Sequence, residues 1–268
     1  MLTNVPMSSF NRLDEPLDHA FPSSALRFPT LLPQRDPCTM PELLNVRFNP
    51  HDTVTATVYP ATAQDQAKIT LILAHGAGAG QASEFMVRFA EGLSDRGIET
   101  ITFNFYYKEI GRKIPDQNNK LELCYRAVID TVLETKKIPK DRLAIGGKSM
   151  GGRIASQLAA DGSTELLGLV FLGYPLHPPS KPEQLRAAHL AHIKAPMLFV
   201  QGSRDAFGTP DELRPIIDAI ATRTDLYVVD RADHSFKVPK STRLTQSDLY
   251  TAILDHIALW LRQTAAAI

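Results

Sequence analysis

The chain has 268 residues, 44% of them hydrophobic, and its 29 Lys and Arg balance 29 Asp and Glu for a formal net charge of zero. That is enough apolar material for one large domain or two small ones around a buried core. Charge of both signs spread along the chain leaves no footprint for nucleic acid or an anionic membrane surface, so neither is expected as a partner.

Residues 1–44 are expected to form a proline-rich arm ahead of the domain. Pro6, Pro16, Pro22, Pro29, Pro33 and Pro37 lie among polar residues with no sustained period of 2 or 3.6. The sequence leaves open whether this arm wraps the domain, is disordered, or lies upstream of a start at Met40. It has no basic-flanked apolar run of the signal-peptide kind, and Asp14, Glu15 and Asp18 argue against a transit peptide. Cys38 and Cys124 are the only cysteines. Two such thiols provide neither a disulfide framework nor metal spacing, so a cytoplasmic protein is expected.

Residues 45–268 alternate between two patterns. Apolar runs predict strands at Asn45–Phe48, Thr53–Tyr59, Ile69–Ala74, Glu99–Phe105, Leu143–Gly147, Leu167–Leu172, Met197–Gln201 and Leu226–Val229. Helical spacing predicts Ala82–Arg96, Asn118–Lys136, Gly152–Ala160, Asp211–Ala221 and Ser247–Gln263 between them. Strands alternating with helices imply an α/β domain: a mostly parallel eight-stranded sheet, helices on both faces, and functional loops at the carboxyl ends of the strands. Tyr174–Lys194 is short and rich in proline, with room for one helix near Pro182–Leu190. It predicts a short lid segment and an open or shallow site, suited to a small substrate.

Gly147-Lys148-Ser149-Met150-Gly151 carries the chemistry. A serine between two glycines, after a strand and before a helix, fits a sharp elbow that pushes the hydroxyl out at the sheet edge as a nucleophile. A P-loop would need glycine at Arg142. The base expected to act on Ser149 is His234, in the loop after the last strand. The orienting acid is Asp205, after Gln201-Gly202-Ser203-Arg204. Asp211 belongs to a first helical turn, and Asp233 is directed away from its neighbour His234. Oxyanion donors are expected from the N–H of Met150 and from the loop His75-Gly76-Ala77-Gly78-Ala79-Gly80, with Gly76 and Ala77 closest. That loop fails the dinucleotide spacing at Gln81. His75 is expected to shape the loop, and His75, Lys148, Arg153 and His177 are candidate substrate contacts. Arg186 and His189 are further candidates for an anionic group on the substrate.

The order Ser149, Asp205, His234 is that of an α/β-hydrolase. The elbow, the His75–Gly80 loop, Gly173-Tyr174-Pro175-Leu176-His177-Pro178-Pro179 and Gln201–Asp205 resemble the KANL3/Tex30-like branch, near the dienelactone hydrolases. Dienelactone hydrolases use a cysteine where this chain has Ser149, so their reaction does not carry over. The resemblance and the ordered residues together imply a serine hydrolase, carboxylesterase-like, acting through an acyl-enzyme on a small ester, thioester or amide. Neither a metal nor an organic cofactor is expected, since serine hydrolysis requires none. The same residues would serve a peptidase or acyltransferase. Relatives in chromatin-regulating complexes leave a non-catalytic interaction module as the alternative of another class.

Overall fold

The computed structural model describes residues 40–62, 67–239, 241–242 and 245–268. Most of the proline-rich arm, with Cys38, lies outside the described residues. Eight strands, β1 (Glu42–Arg47), β2 (Thr53–Tyr59), β3 (Ile69–Ala74), β4 (Ile98–Phe103), β5 (Leu143–Lys148), β6 (Gly168–Leu172), β7 (Met197–Gly202) and β8 (Thr224–Val229), make one sheet. Its order is β1-β2-β4-β3-β5-β6-β7-β8. β2 runs antiparallel to both neighbours, and the remaining pairs are parallel. β1 begins at Glu42, ahead of residue 45, because Glu42 already pairs with Val58.

The helices are α1 (Glu84–Ser94), α2 (Tyr106–Glu109), α3 (Asn118–Lys136), α4 (Met150–Ala160), α5 (Pro210–Asp218) and α6 (Gln246–Ala266). Strand side chains alternate between two cores, as a period of two requires. Ile72, Ile145, Phe171 and Phe199 pack with Tyr125 of α3, Ile154 of α4 and Leu213 of α5. Leu71, Ala144, Val170 and Leu198 pack with Phe89 of α1 and with Ile253, Ile257 and Trp260 of α6. Both faces of the central strands are therefore buried, and their near-continuous apolar composition follows. Each fully buried Leu or Phe contributes about 1.5–3 kcal/mol.

Local chemistry fixes the helix starts. Thr209 and Glu212 form a capping box with Pro210 in the first turn of α5, and Thr245 with Asp248 does the same for α6. α4 starts at the elbow itself, two residues ahead of the expected Gly152. α2 was not expected, since a single turn carries no periodicity. Between β6 and β7 no α-helix forms near Pro182–Leu190. A five-residue 3-10 turn, Ala188–His192, takes its place and buries only Leu190, while residues 180–186 stay exposed. Pro182 and the polar side chains of Lys181, Glu183, Gln184 and Arg186 give that stretch too little apolar face to hold a helix down.

The sheet is reinforced below the elbow by a side chain. The Tyr125 hydroxyl lies 2.9 Å from the Ile72 carbonyl and 2.7 Å from that of Gly146, and accepts from the Gly146 N–H at 3.0 Å. Helix α3 is thus bonded directly to the strand that carries the serine.

Candidate active site

The elbow owes its shape to the missing side chains around it. A Cβ on Gly147 would stand 2.4 Å from the Ala74 oxygen and 2.8 Å from the Gly151 carbonyl carbon. One on Gly151 would meet the same oxygen at 2.4 Å. β3, β5 and α4 come this close only because both positions are glycine. Ser149 turns the corner at φ 51°, ψ −116°, a conformation costing about 1–3 kcal/mol for a residue with a side chain. Its N–H donates to the Leu172 carbonyl at 3.0 Å, which helps hold the strained residue.

Two further loops meet the elbow at the carboxyl edge of the sheet. After β8, Arg231 (φ 56°) and Phe236 (φ 57°) fold the loop back, and Asp233 Oδ1 accepts from the N–H groups of Ser235 and Lys237 at 2.8 and 2.9 Å. Asp233 therefore builds the loop, and His234 is left to face the serine. His234 Nε2 is 2.8 Å from Ser149 Oγ. Its Nδ1 is 2.8 Å from Asp205 Oδ2 and 3.0 Å from Oδ1. Because a carboxylate only accepts, Nδ1 carries the proton toward Asp205, and Nε2 is free to accept from the serine hydroxyl.

Asp205 is 1% exposed and fully occupied. Besides His234 it accepts from the Phe207 N–H at 2.8 Å and from Gln201 Nε2 at 2.9 Å. Gln201 also donates to the Gly208 carbonyl at 2.7 Å, and its Oε1 accepts from the Tyr174 N–H at 2.8 Å. Phe207 lies against the His234 ring, with centroids 4.2 Å apart. Sequence reasoning missed both supports. Gln201 left a signal, a glutamine closing an otherwise apolar strand, whereas Phe207 left none.

The loop after β3 packs against the elbow, and a Cβ on Gly76 would lie 3.6 Å from that of Ser149. Gly76, Ala77 and Met150 line a cavity of about 790 Å³ in front of Ser149. Met150 opens α4, so its N–H belongs to the first-turn donors that lack intrahelical partners, at the positive end of the helix dipole.

Of the candidate substrate contacts, Lys148 and Arg153 line this cavity, while His75 and His177 do not. His75 is fully buried: Nε2 accepts from the Phe105 N–H at 3.1 Å, so Nδ1–H donates to the Gly76 carbonyl at 2.8 Å. Burial pushes its pKa down to about 4, with the Lys108 charge acting in the same direction against the Gly76 carbonyl. It is a neutral strut for the loop, as its loop-shaping expectation had it, and offers nothing to a substrate. His177 is buried toward α5. Its Nδ1 donates to the Pro178 carbonyl at 2.9 Å, and Nε2 stands 3.2 Å from Glu212 Oε1. Neither ring lines the cavity, which corrects the expectation that they contact substrate: both turn into the fold, although His177 Nε2 has no hydrogen-bond partner there among the described residues.

Lys148 runs along the cavity, but its ammonium is closed off from solvent. Nζ has no hydrogen-bond partner among the described residues and lies 5.5 Å above the Phe236 ring. Burial lowers its pKa to about 8, against the opposing pull of Asp205 and Asp233. Cys124, the cysteine within the described residues, is buried in α3, and burial pushes its thiol up to about 12. It takes no part in the site.

This strand order, with a strained serine elbow after β5, an acid after β7 and a histidine after β8, defines an α/β-hydrolase. A model of the alpha/beta hydrolase domain matches residues 67–262, and the chain belongs to that family. Solved structures share the fold at low identity. An α/β serine hydrolase homologue from Coxiella burnetii is 17% identical with a TM-score of 0.60, the alignment covering 83% of this chain and 96% of that one. The dienelactone hydrolase of Anabaena variabilis is 18% identical with a TM-score of 0.63, covering 84% and 97%. A Xanthomonas campestris α/β serine hydrolase described as lacking a lid is 19% identical with a TM-score of 0.64, covering 83% and 95%. Among the described residues no helix is long and apolar enough to cross a membrane.

Proposed function

We propose that the protein is a serine hydrolase with a Ser149–His234–Asp205 triad, cleaving a small ester, thioester or amide through an acyl-enzyme. One observation carries this proposal: the continuous hydrogen-bonded chain from Ser149 Oγ through both nitrogens of His234 to a buried carboxylate. His234 Nε2 takes the serine proton as Oγ attacks the carbonyl carbon. Asp205 stabilises the imidazolium without taking up the proton itself. The N–H groups of Met150 and of the Gly76–Ala77 stretch receive the oxyanion, a contribution of about 3–4 kcal/mol per donor in comparable sites. The proton then passes to the leaving group, and water repeats the sequence to release the acid.

The absence of an α-helix between β6 and β7 supports an open site for a small molecule, as does the likeness to a lidless serine hydrolase. Within the family we favour the KANL3/Tex30-like branch, on the motifs quoted above. The two cysteines without a disulfide framework support a cytoplasmic setting, and the balanced charge supports neither nucleic acid nor membrane as a partner.

Reaction with a fluorophosphonate probe tests the proposal. The protein should label at Ser149, and Ser149→Ala and His234→Ala should abolish labelling while the fold persists. A folded wild type that neither labels nor cleaves short p-nitrophenyl esters would favour the non-catalytic interaction module, and labelling that survives Ser149→Ala would place the nucleophile elsewhere.

A further inference from the structure

The cavity before Ser149 is electrostatically one-sided. Arg88, Lys148, Arg153, Arg186 and Lys237 line it against a single acid, Glu84. Three of these cations are otherwise placed. Arg88 donates to Ser247 Oγ at 2.7 Å and lies 5.2 Å over the Tyr250 ring, Lys148 Nζ is shut in over the Phe236 ring, and Lys237 is exposed; Arg186 is exposed too, but its charge acts on Arg153. Arg153 and Arg186 remain.

Arg153 stands four residues beyond Ser149 on α4, its N–H bonded to the Ser149 carbonyl at 3.1 Å, so its side chain leaves the helix on the serine's side one turn away. Its Nη1 donates to Asn118 Oδ1 at 3.0 Å and Gln157 Oε1 at 3.2 Å. Both acceptors are neutral amides, which aim the guanidinium without neutralising it. Glu122 accepts from the Asn118 amide instead, and its charge acts on Arg153 less than burial and Arg186 do. Among the described residues neither arginine has a carboxylate partner. Burial, and after it the Arg186 charge, pulls Arg153 below its ordinary value. His189 is lowered by its own burial and then by Arg153. Arg153 is half-buried and Arg186 exposed, and both face one cavity; two like charges so placed repel each other until an anion lies between them.

We infer that Arg153 and Arg186 form the receptor for an anionic group of the substrate, so that the ester, thioester or amide cleaved at Ser149 bears a carboxylate or phosphate a few bonds from its carbonyl. The inference rests on Ser149 being the nucleophile. Oγ bonds to the carbonyl carbon, the bond to the leaving alcohol, thiol or amine breaks, and that group departs with the proton relayed by His234. Water then supplies hydroxyl to the acyl carbon and its other proton to Ser149, releasing an acid. Planar guanidinium pairs suit either oxyanion, and no oxidant or further reactant is required.

The test compares p-nitrophenyl hemiglutarate with the neutral p-nitrophenyl butyrate. For wild type the ratio of kcat/KM, charged over neutral, should exceed one and should fall as NaCl is raised from about 0.02 to 0.5 M. In Arg153→Gln and Arg186→Gln that ratio should fall about tenfold, chiefly through KM on the charged ester, and Arg153→Lys should retain part of it. Glutarate and inorganic phosphate as competitive inhibitors separate the two anions. The stronger inhibitor identifies the group, and its inhibition should weaken in the same variants. A wild type that labels with fluorophosphonate and cleaves the butyrate, but whose ratio is unmoved by both glutamine variants, overturns the anion receptor alone. A wild type that neither labels nor cleaves either ester overturns the nucleophile and the receptor together.

Discussion

The loops after β3 and β8 each bring a histidine to the same edge of the sheet and use it oppositely. In the first loop the His75 ring is sealed from solvent, both nitrogens are satisfied by backbone, and the ring sits edge-on to Phe105 and Tyr107. In the second, the His234 ring is partly exposed, tilted against Phe207, and spans a buried carboxylate and the serine. A histidine after a strand is therefore not a functional signal by itself. What decides is whether its second nitrogen is spent on backbone or left for a reacting group.

The largest test of this contrast is a pair of substitutions. His234→Ala should lower esterase turnover by roughly 10⁴–10⁶-fold and leave thermal stability close to wild type, because a triad acts as a unit. His75→Ala should instead lower stability, by about 2–4 kcal/mol in urea unfolding, since it opens a cavity and strands the Phe105 N–H. Equal stability losses in both variants would dissolve the distinction.

Acid titration sharpens it further. His75 is held near 4 in the fold against 6.5 when unfolded. A depressed histidine pKa means that the unfolded chain binds more protons across that window. Its contribution is thus complete above about pH 6.5 and is lost as the pH falls toward 4, amounting to about 3 kcal/mol. Urea midpoints measured between these limits should fall in wild type, and the slope should be shallower in His75→Asn.

A smaller effect belongs to the support behind His234. Gln201→Leu removes one donor from a buried carboxylate and should reduce kcat by roughly 10–100-fold, with KM on a neutral ester little changed. Smallest is Lys148→Met. The buried ammonium titrates near 8 rather than 10.5, so its destabilising contribution is full below about pH 8 and relieved as the pH rises toward 10.5. Below pH 8 the methionine variant should be more stable than wild type by roughly 1 kcal/mol, and the margin should narrow above pH 8 and close only beyond about 10.5 in thermal melts.

Much of this site was legible because its geometry is dictated by local sequence. Only glycine allows β3 and α4 to approach Ser149, and strand ends locate Asp205 and His234 to within a loop. What escaped has a common cause. Gln201, Phe207 and the inward turns of His75 and His177 depend on which loops come together in space, and nothing along the chain records that. The α-helix not formed near Pro182–Leu190 failed for the related reason that a helix needs a face to pack, and residues 180–186 stay exposed. α2 shows the converse, a turn too short to carry a period and formed beside Phe48, which its Tyr106 ring contacts at 5.3 Å.

The backbone of Ser149 has a consequence for how such a protein can change. Its left-handed φ suits glycine, so Ser149→Gly would relieve the corner by about 1 kcal/mol while discarding the hydroxyl. Under the proposed mechanism, the folding optimum and the chemical optimum at this position are different residues. Drift under selection for folding alone would favour glycine here, and the proposed nucleophile would be lost while the fold grew more robust.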